Sequence, residues 1–287
     1  MNETMRGMRN NKDFQVHWGY LFATFWLAVG LSSCAPALEP PPEDYDSLLR
    51  YLFANMMEEN TAELSEGLDQ LGALLADAEV RSRGEQGHSL ASLTDQSVNG
   101  LDDENRSATD LMGLGVVTET PHRPEDIACT LVWEDFGEIV GENFDSYERE
   151  FESPTGCFCD QSCDQAQANS ETQSNWGGLV QMAAAYRIQF RWIDTQSGPV
   201  LLHRFWLKEP AGESGGVTMD SNYYLGVTFS AAGGGTTRVH ASWFSVDLGT
   251  LDGAEDLVFG STIDNIRKDA ERIDNWISEN GVPGRSD

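Results

Sequence analysis

The stretch MAAAYRIQFRWIDTQSGPVLLHRFWLKEP, residues 182–210, decides the fold. Its first half alternates with a period of two. Tyr186, Ile188, Phe190 and Trp192 fall on one face, and Arg187, Gln189 and Arg191 on the other. The segment TQSG makes a turn, and PVLLHRFWLKEP returns as a second strand. Downstream, AGESGG (211–216) reads as a loop, DSNYYLGVTFSAA (220–232) as a third strand, AGGGT as a turn and TRVHASWFSVDLG (237–249) as a fourth strand. Upstream, IACTLVW (127–133) and NFDSYEREFES (143–153) are further strand candidates. Long strands joined by short loops make an antiparallel meander, and strands of this length predict strong curvature.

The period then changes. Across AEDLVFGSTIDNIRKDAERIDNWISENG (254–281), Phe259, Ile263, Ile266, Ala270, Ile273 and Ile277 recur at steps of four and three, with Gly281 as the stop. This stripe predicts a long helix lying on the concave face of the sheet. Residues 44–80 carry two more stripes: Leu48, Leu49, Leu52, Phe53, Met56 and Met57, then Leu64, Leu68, Leu71 and Leu75. Asn60 or Thr61 serves as an N-cap between them, giving antiparallel helices over roughly 44–58 and 61–79. Residues 81–126 are polar and weakly patterned, with a short helix expected near 92–100 and another short piece in DLMGLGVV (110–117). The fold class is α+β: an N-terminal helical pair, then a curved antiparallel β-sheet packed by a long C-terminal helix. The eight Trp and 13 Phe, most of them after residue 130, place the core in the C-terminal part.

At the amino end, LFATFWLAVGLSSC (21–34) is an apolar run that stops at a cysteine. From Trp18 to Leu31 it is 14 residues long and follows Arg6, Arg9 and Lys12. A spanning helix needs about 20 apolar residues, a signal-peptide core only about 7–15. The ending Leu31-Ser32-Ser33-Cys34 resembles the lipobox of bacterial lipoproteins. That resemblance implies a diacylglyceryl group on the Cys34 thiol and cleavage after Ser33. Ala35 in place of Asp implies the outer membrane. The resulting organisation is a signal peptide (1–33), a Pro-rich acidic spacer (34–43), a helical and irregular region (44–126) and a sheet-plus-helix domain (127–287).

The chain carries 47 acidic and 18 basic residues, a formal charge of −29. Removing residues 1–33 takes three cations and two carboxylates and leaves about −30. Such a surface repels nucleic acid and anionic headgroups. Four cysteines remain: Cys129, Cys157, Cys159 and Cys163. Outside the inner membrane an even count reads first as two disulfides, with three connectivities open. The preferred one closes a small loop with Cys157–Cys163 and ties it to a strand with Cys129–Cys159. A zinc site from all four is the rival, with loose spacing for it.

Motifs of catalysis are sparse. GESGG (212–216) resembles the GDSGG around a chymotrypsin-type serine, but no histidine of the chain sits in a matching partner motif, and Ser214 reads as a loop residue. His203 and His240 lie mid-strand, where His203 could approach Glu209 or Asp247, and a satisfied sheet histidine is the plainer reading. LDDEN (101–105) lacks the Gly and distal Glu of a calcium loop. No phosphate loop or metal motif is present, and no cofactor is expected. Arg187, Arg191, Arg204, Lys208 and Arg238 all fall in expected strands. They read either as an anion or partner patch or as cross-strand salt bridging.

The segments YLF (51–53), EGLDQL (66–71), CFCDQSC (157–163), NYYLGVTF (222–229) and ASWFSVDLG (241–249) resemble a family of uncharacterised lipoproteins from myxobacteria and their relatives, which implies no activity. The element order is similar to helix-grip (START-like) domains, which implies a space between sheet and helix for a lipid or other apolar ligand. The expectation is a lipid-anchored envelope protein, a non-enzymatic binding or interaction module. Its partners are the membrane through its lipid, and an envelope protein or apolar ligand. The alternatives are a helix-grip carrier and a hydrolase with an unrecognised site. For the carrier, Phe190, Trp192 and Phe229 are the expected lining.

Overall fold

In the computed structural model, which describes residues 38–101, 106–141, 144–176, 180–212, 217–248 and 255–284, the meander is extended on both sides into one curved eight-stranded antiparallel sheet. Helices α1 (Tyr45–Asn55), α2 (Ala62–Ala76) and α3 (Ala78–Gln86) lead into strands β1 (His88–Leu90) and β2 (Met112–Thr120). Two short helices, α4 (Pro124–Leu131) and α5 (Gly137–Val140), come next. Strand β3 (Ser146–Phe151) and the one-turn helix α6 (Gly156–Cys159) precede β4 (Gln165–Trp176), β5 (Val180–Thr195), β6 (Gly198–Leu207), β7 (Thr218–Ser230) and β8 (Thr236–Asp247). Helix α7 (Glu255–Asn280) closes the chain. The strand order is β1-β2-β8-β7-β6-β5-β4-β3, so only β2 joins out of sequence, against β8. Residues 38–287 make one compact unit, and no helix among the described residues is long and apolar enough to cross a membrane.

Both faces of this sheet are covered. On one, Leu48, Leu52 and Phe53 of α1 and Leu64, Leu68 and Leu71 of α2 pack with Leu202, Tyr223, Val239 and Trp243, all fully or almost fully buried. On the other, α4, α5 and the far end of α7 pack on Ala166, Ala168, Ile188, Phe190 and Leu201. The period-two pattern of β5 therefore serves two cores, since successive side chains leave a strand on opposite faces. The aromatic count had placed the core in the C-terminal part. The leucine-rich helical pair instead supplies half of a second core.

That second core explains the strand arginines. Helix α1 starts well: the Asp44 carboxylate accepts from the Ser47 amide at 2.9 Å, which holds the Asp44 carboxyl below its usual value. Its last turn carries no basic residue, although the final carbonyls of a helix lack partners within it. The sheet provides them. Arg191 Nη1 donates to the Met56 and Glu58 carbonyls, each at 2.7 Å, and Arg204 Nη1 donates to the Phe53 carbonyl. Two guanidinium groups from β5 and β6 thus meet the negative end of α1.

Several sequence expectations change. Residues 127–133 are not a strand. Pro124 occupies the first helical turn, and the Asp126 carboxylate accepts from the Arg123 amide at 3.3 Å and from its guanidinium, so α4 starts there despite its β-branched residues. The helix expected at 61–79 breaks at Asp77, whose extended backbone ends α2 and whose carboxylate caps α3 through the Glu79 amide at 2.8 Å. Residues 92–100 form no helix, only an irregular stretch and then turns from residue 95, and the piece at 110–117 is strand from Met112 on, paired with β8. Cys157 and Cys163 are bridged as expected. Cys129 is buried on α4, not on a strand, and Cys159 lies on α6. Helix α7 ends where expected: Gly281, at φ 78°, donates its amide to the Ile277 carbonyl at 2.9 Å.

Replacing Arg191 by Met should lower the unfolding free energy of the chain by about 1–3 kcal/mol, because buried carbonyls at the end of α1 lose their donor. Lysine at the same place should restore part of it. Urea denaturation of both variants checks this, and a Met variant as stable as the parent would show that the cap contributes nothing.

Candidate functional site

Helix α7 touches the sheet side at its two ends more closely than in its middle. Near its start, Val258 and Ile263 pack with Leu114, Val116 and Phe244 of β2 and β8. Near its end, Ile273 and Ile277 pack with α4, α5 and β5, and Trp276 meets Trp133 at 4.7 Å between ring centroids. Between these anchors Ile266, Asp269 and Ala270 look onto β5–β8 across a cavity of about 310 Å³. Leu131, Phe136 and Val140 of the α4–α5 region close one side, with Phe144 and Tyr147 beside them. Tyr186, Ile188 and Phe190 of β5 and Phe205 of β6 make an apolar floor.

Polar groups sit along one strip of that floor. The register places Phe190, His203, Gly226 and His240 in one row across β5–β8, and Ile188, Phe205, Tyr224 and Ser242 in the next. Phe205 stacks on Tyr224 at 4.6 Å, and Phe190 on His203 at 6.0 Å. The His203 ring lies over Gly226, where any side chain would collide with it. His240 is engaged at both ring nitrogens, by the Tyr224 hydroxyl at 2.5 Å and the Thr118 hydroxyl at 2.9 Å. Arg238 lies two residues before His240, on the same face, and lines the cavity. Arg149 of β3 also lines it, with its guanidinium over the Phe136 ring and donating to the Leu131 carbonyl and the Tyr147 hydroxyl.

The electrostatics follow from burial. Desolvation, reinforced by the positive fields of Arg238 and Arg149, pushes His203 down to about 3. His240 is held well below its ordinary value by burial, then by Arg238 and His203. Burial also lowers Arg238 and raises the Tyr224 and Tyr186 hydroxyls. Both imidazoles are therefore neutral at pH 7, and among the described residues neither is hydrogen-bonded to a carboxylate. Such histidines lack the orienting acid of a Ser-His-Asp arrangement.

The residues singled out from the sequence are scattered. Glu209 and Asp247, the expected neighbours of His203, are exposed beyond the floor. The five cations do not form one patch. Arg187 pairs with Glu152 at 2.5 Å and Gln167 at 2.8 Å, Arg191 and Arg204 cap α1, Lys208 is exposed, and Arg238 points to the opposite face. Of the expected lining, Phe190 is in place. Trp192 sits beside the cavity, its indole N–H donating to the Phe158 carbonyl at 3.0 Å, and Phe229 packs with the first core on the other face. Ser214 and Cys34 lie outside the described residues, as does most of LDDEN. Among the described residues no three His, Cys, Asp or Glu side chains form a metal-binding group. Tyr224, Asn222, Arg149 and Asp269 were missed. Tyr224 was readable from its alternation in β7 and Asp269 from its place beside Ile266 and Ala270 on α7, but Asn222 and Arg149 needed the strand register.

The long helix packed across a curved antiparallel sheet is the architecture that the helix-grip resemblance implied. No protein-family model matches the chain, and no curated protein matches it. Solved structures do. The chain is similar to Ara h 8.0201, at 10% identity, covering 59% of this chain and 99% of that one with a TM-score of 0.37. It is similar to a STAR-related lipid transfer protein from Xanthomonas axonopodis, at 9% identity, covering 58% and 86% with a TM-score of 0.41. An uncharacterized protein from Rhizobium leguminosarum is 11% identical, with 59% and 96% covered and a TM-score of 0.36. The cavity and its lining, not these likenesses, carry the functional conclusion.

Two histidines buried neutral make stability depend on pH. Each binds a proton in the unfolded chain below about pH 6.5 but not in the folded one, so the unfolded state holds more protons and stability is lost as the pH is lowered. The melting temperature should drop between pH 7 and pH 5, and His203→Gln should flatten the drop. A scanning-calorimetry series at constant ionic strength checks this. An equal drop in the variant would mean that His203 is charged in the fold.

Proposed function

We propose that the chain is a carrier of a small apolar ligand, held between α7 and the sheet, and that Cys34 tethers this body by lipid to the cell envelope. The observation that carries the first part is the cavity of about 310 Å³, at the small end of the range of about 300–1,000 Å³ for ligand sites, with mostly apolar walls and a few convergent polar groups. Filled cores leave few voids larger than a water molecule, so a space this size under a helix held at both ends needs a reason. A ligand supplies one. An apolar occupant would restore the dispersion contacts that Ile266, Ala270 and Phe136 lack on that side.

The tether rests on the lipobox-like Leu31-Ser32-Ser33-Cys34 and the spacer after it. Multiple acyl chains, at about 0.8 kcal/mol per buried CH₂, anchor firmly where a single chain holds only marginally. The surrounding net charge of −29 would keep such a body off anionic headgroups while the lipid holds it near them.

Two measurements test these parts separately. The purified chain should bind one N-phenyl-1-naphthylamine with a rise in fluorescence, and Ala270→Trp, which fills the space beneath α7, should abolish the rise without lowering the melting temperature. Binding that survives the substitution would place the probe elsewhere. In cells, labelled palmitate should enter the parent chain and not Cys34→Ala. Equal labelling of both would remove the tether.

A further inference from the structure

Resting on the carrier reading, we propose that the ligand is an anionic amphiphile, a carboxylate on an apolar body, and that Arg238 is the residue that holds its head. Arg238 is 3% exposed, and its Nε and Nη1 have no hydrogen-bond partner among the described residues. A buried charge without a partner is strongly disfavoured, so this one asks for an anion. Its ladder neighbours, Thr118 and Thr228, are neutral, and Thr228 leaves its own hydroxyl without a partner.

The other arginines drawn inward each find carbonyl acceptors. Arg191 and Arg204 donate to the last carbonyls of α1 and the half-buried Arg149 to the Leu131 carbonyl, although Arg191 Nε and Arg149 Nε are also without a partner. Arg238 has no such acceptor, and it alone of the strand cations expected from the sequence to form an anion patch lines the cavity. Two carboxylates of α7 are near enough to be felt. Asp269 lines the cavity with Arg238 and is engaged with Arg272 at 2.9 Å, and Asp274, outside the lining, keeps one buried oxygen without a partner; Arg238 Nε and Nη1 are hydrogen-bonded to neither. His203 Nδ1, on the same floor, is also buried without a partner. The His203 ring fills the space that Gly226 leaves between β6 and β8, and a carboxylate entering the cavity can accept from both His203 and Arg238. The apolar remainder then runs under Ile266 and Ala270 toward Phe136.

Isothermal titration of the purified full chain with dodecanoate and with dodecanol separates this inference from the carrier reading, because the two ligands share a tail and differ in charge. Dodecanoate should bind about tenfold or more tightly than dodecanol, the range that a charge-assisted hydrogen bond supplies. Arg238→Gln should bring dodecanoate affinity down to that of dodecanol, and Arg238→Lys should keep part of the preference, which also guards against a Gln variant that fails to fold. Equal affinities in the parent, or a preference that persists in Arg238→Gln, would overturn the assignment while leaving the carrier intact. Binding of neither ligand would overturn both.

Discussion

Everything at the site depends on where α7 is held. Twenty-six residues of helix, about 39 Å at 1.5 Å per residue, rest on β2 and β8 near one end and on α4, α5 and β5 near the other. Strong apolar contacts at both ends fix the height of the helix over the sheet, and the middle cannot settle lower without breaking one of them. Small α7 side chains in the middle, such as Ala270, then leave space, whereas larger ones would have filled it. The cavity is a consequence of spacing, not of a special loop. The polar strip on its floor is equally a product of the ladder, since register alone brings His203, Tyr224, Arg238 and His240 to one face.

Much of the scaffold was legible in the sequence, for reasons that particular residues make plain. In residues 186–192 aromatic and aliphatic side chains alternate with arginine and glutamine, so strand and face could both be read. The stripe from Phe259 to Ile277 gave α7 its length and its buried side. Strand β4 was not legible: its inward positions Ala166, Ala168, Ser170, Thr172 and Ser174 are small or polar, because they lie under short helices and at the cavity edge where bulk does not fit. Helix α4 was hidden for the opposite reason, its Ile127 and Thr130 and the Val132 that follows favouring strand until Pro124 and Asp126 set the first turn. Whether a strand cation met solvent, a helix end or a cavity depended on a second covered face. Nothing local to β5 or β8 announces that face.

Charge is distributed by the same geometry. The chain carries 47 acidic residues against 18 basic ones, and its arginines on the sheet are mostly withdrawn from the surface. Arg191 and Arg204 go to a helix terminus and Arg238 to the cavity. The exterior is thereby left more negative than composition alone suggests, while the interior holds isolated positive charge. On the proposed reading an anion is repelled at long range and held at the cavity, an arrangement that favours selectivity over capture rate.

The cap on α1 has a bearing on how the molecule is assembled. Its donors, Arg191 and Arg204, lie 133–151 residues downstream of the carbonyls that they satisfy. Since the chain is made from its amino end, the first helices emerge long before the strands that complete them exist. Their leucine-rich sides must wait, exposed, until β5 and β6 are in place, and contacts of such wide sequence separation form slowly. Helices α1 and α2 are therefore secured only after more than a hundred further residues have been made, and the interval between is when this protein most needs shelter from aggregation.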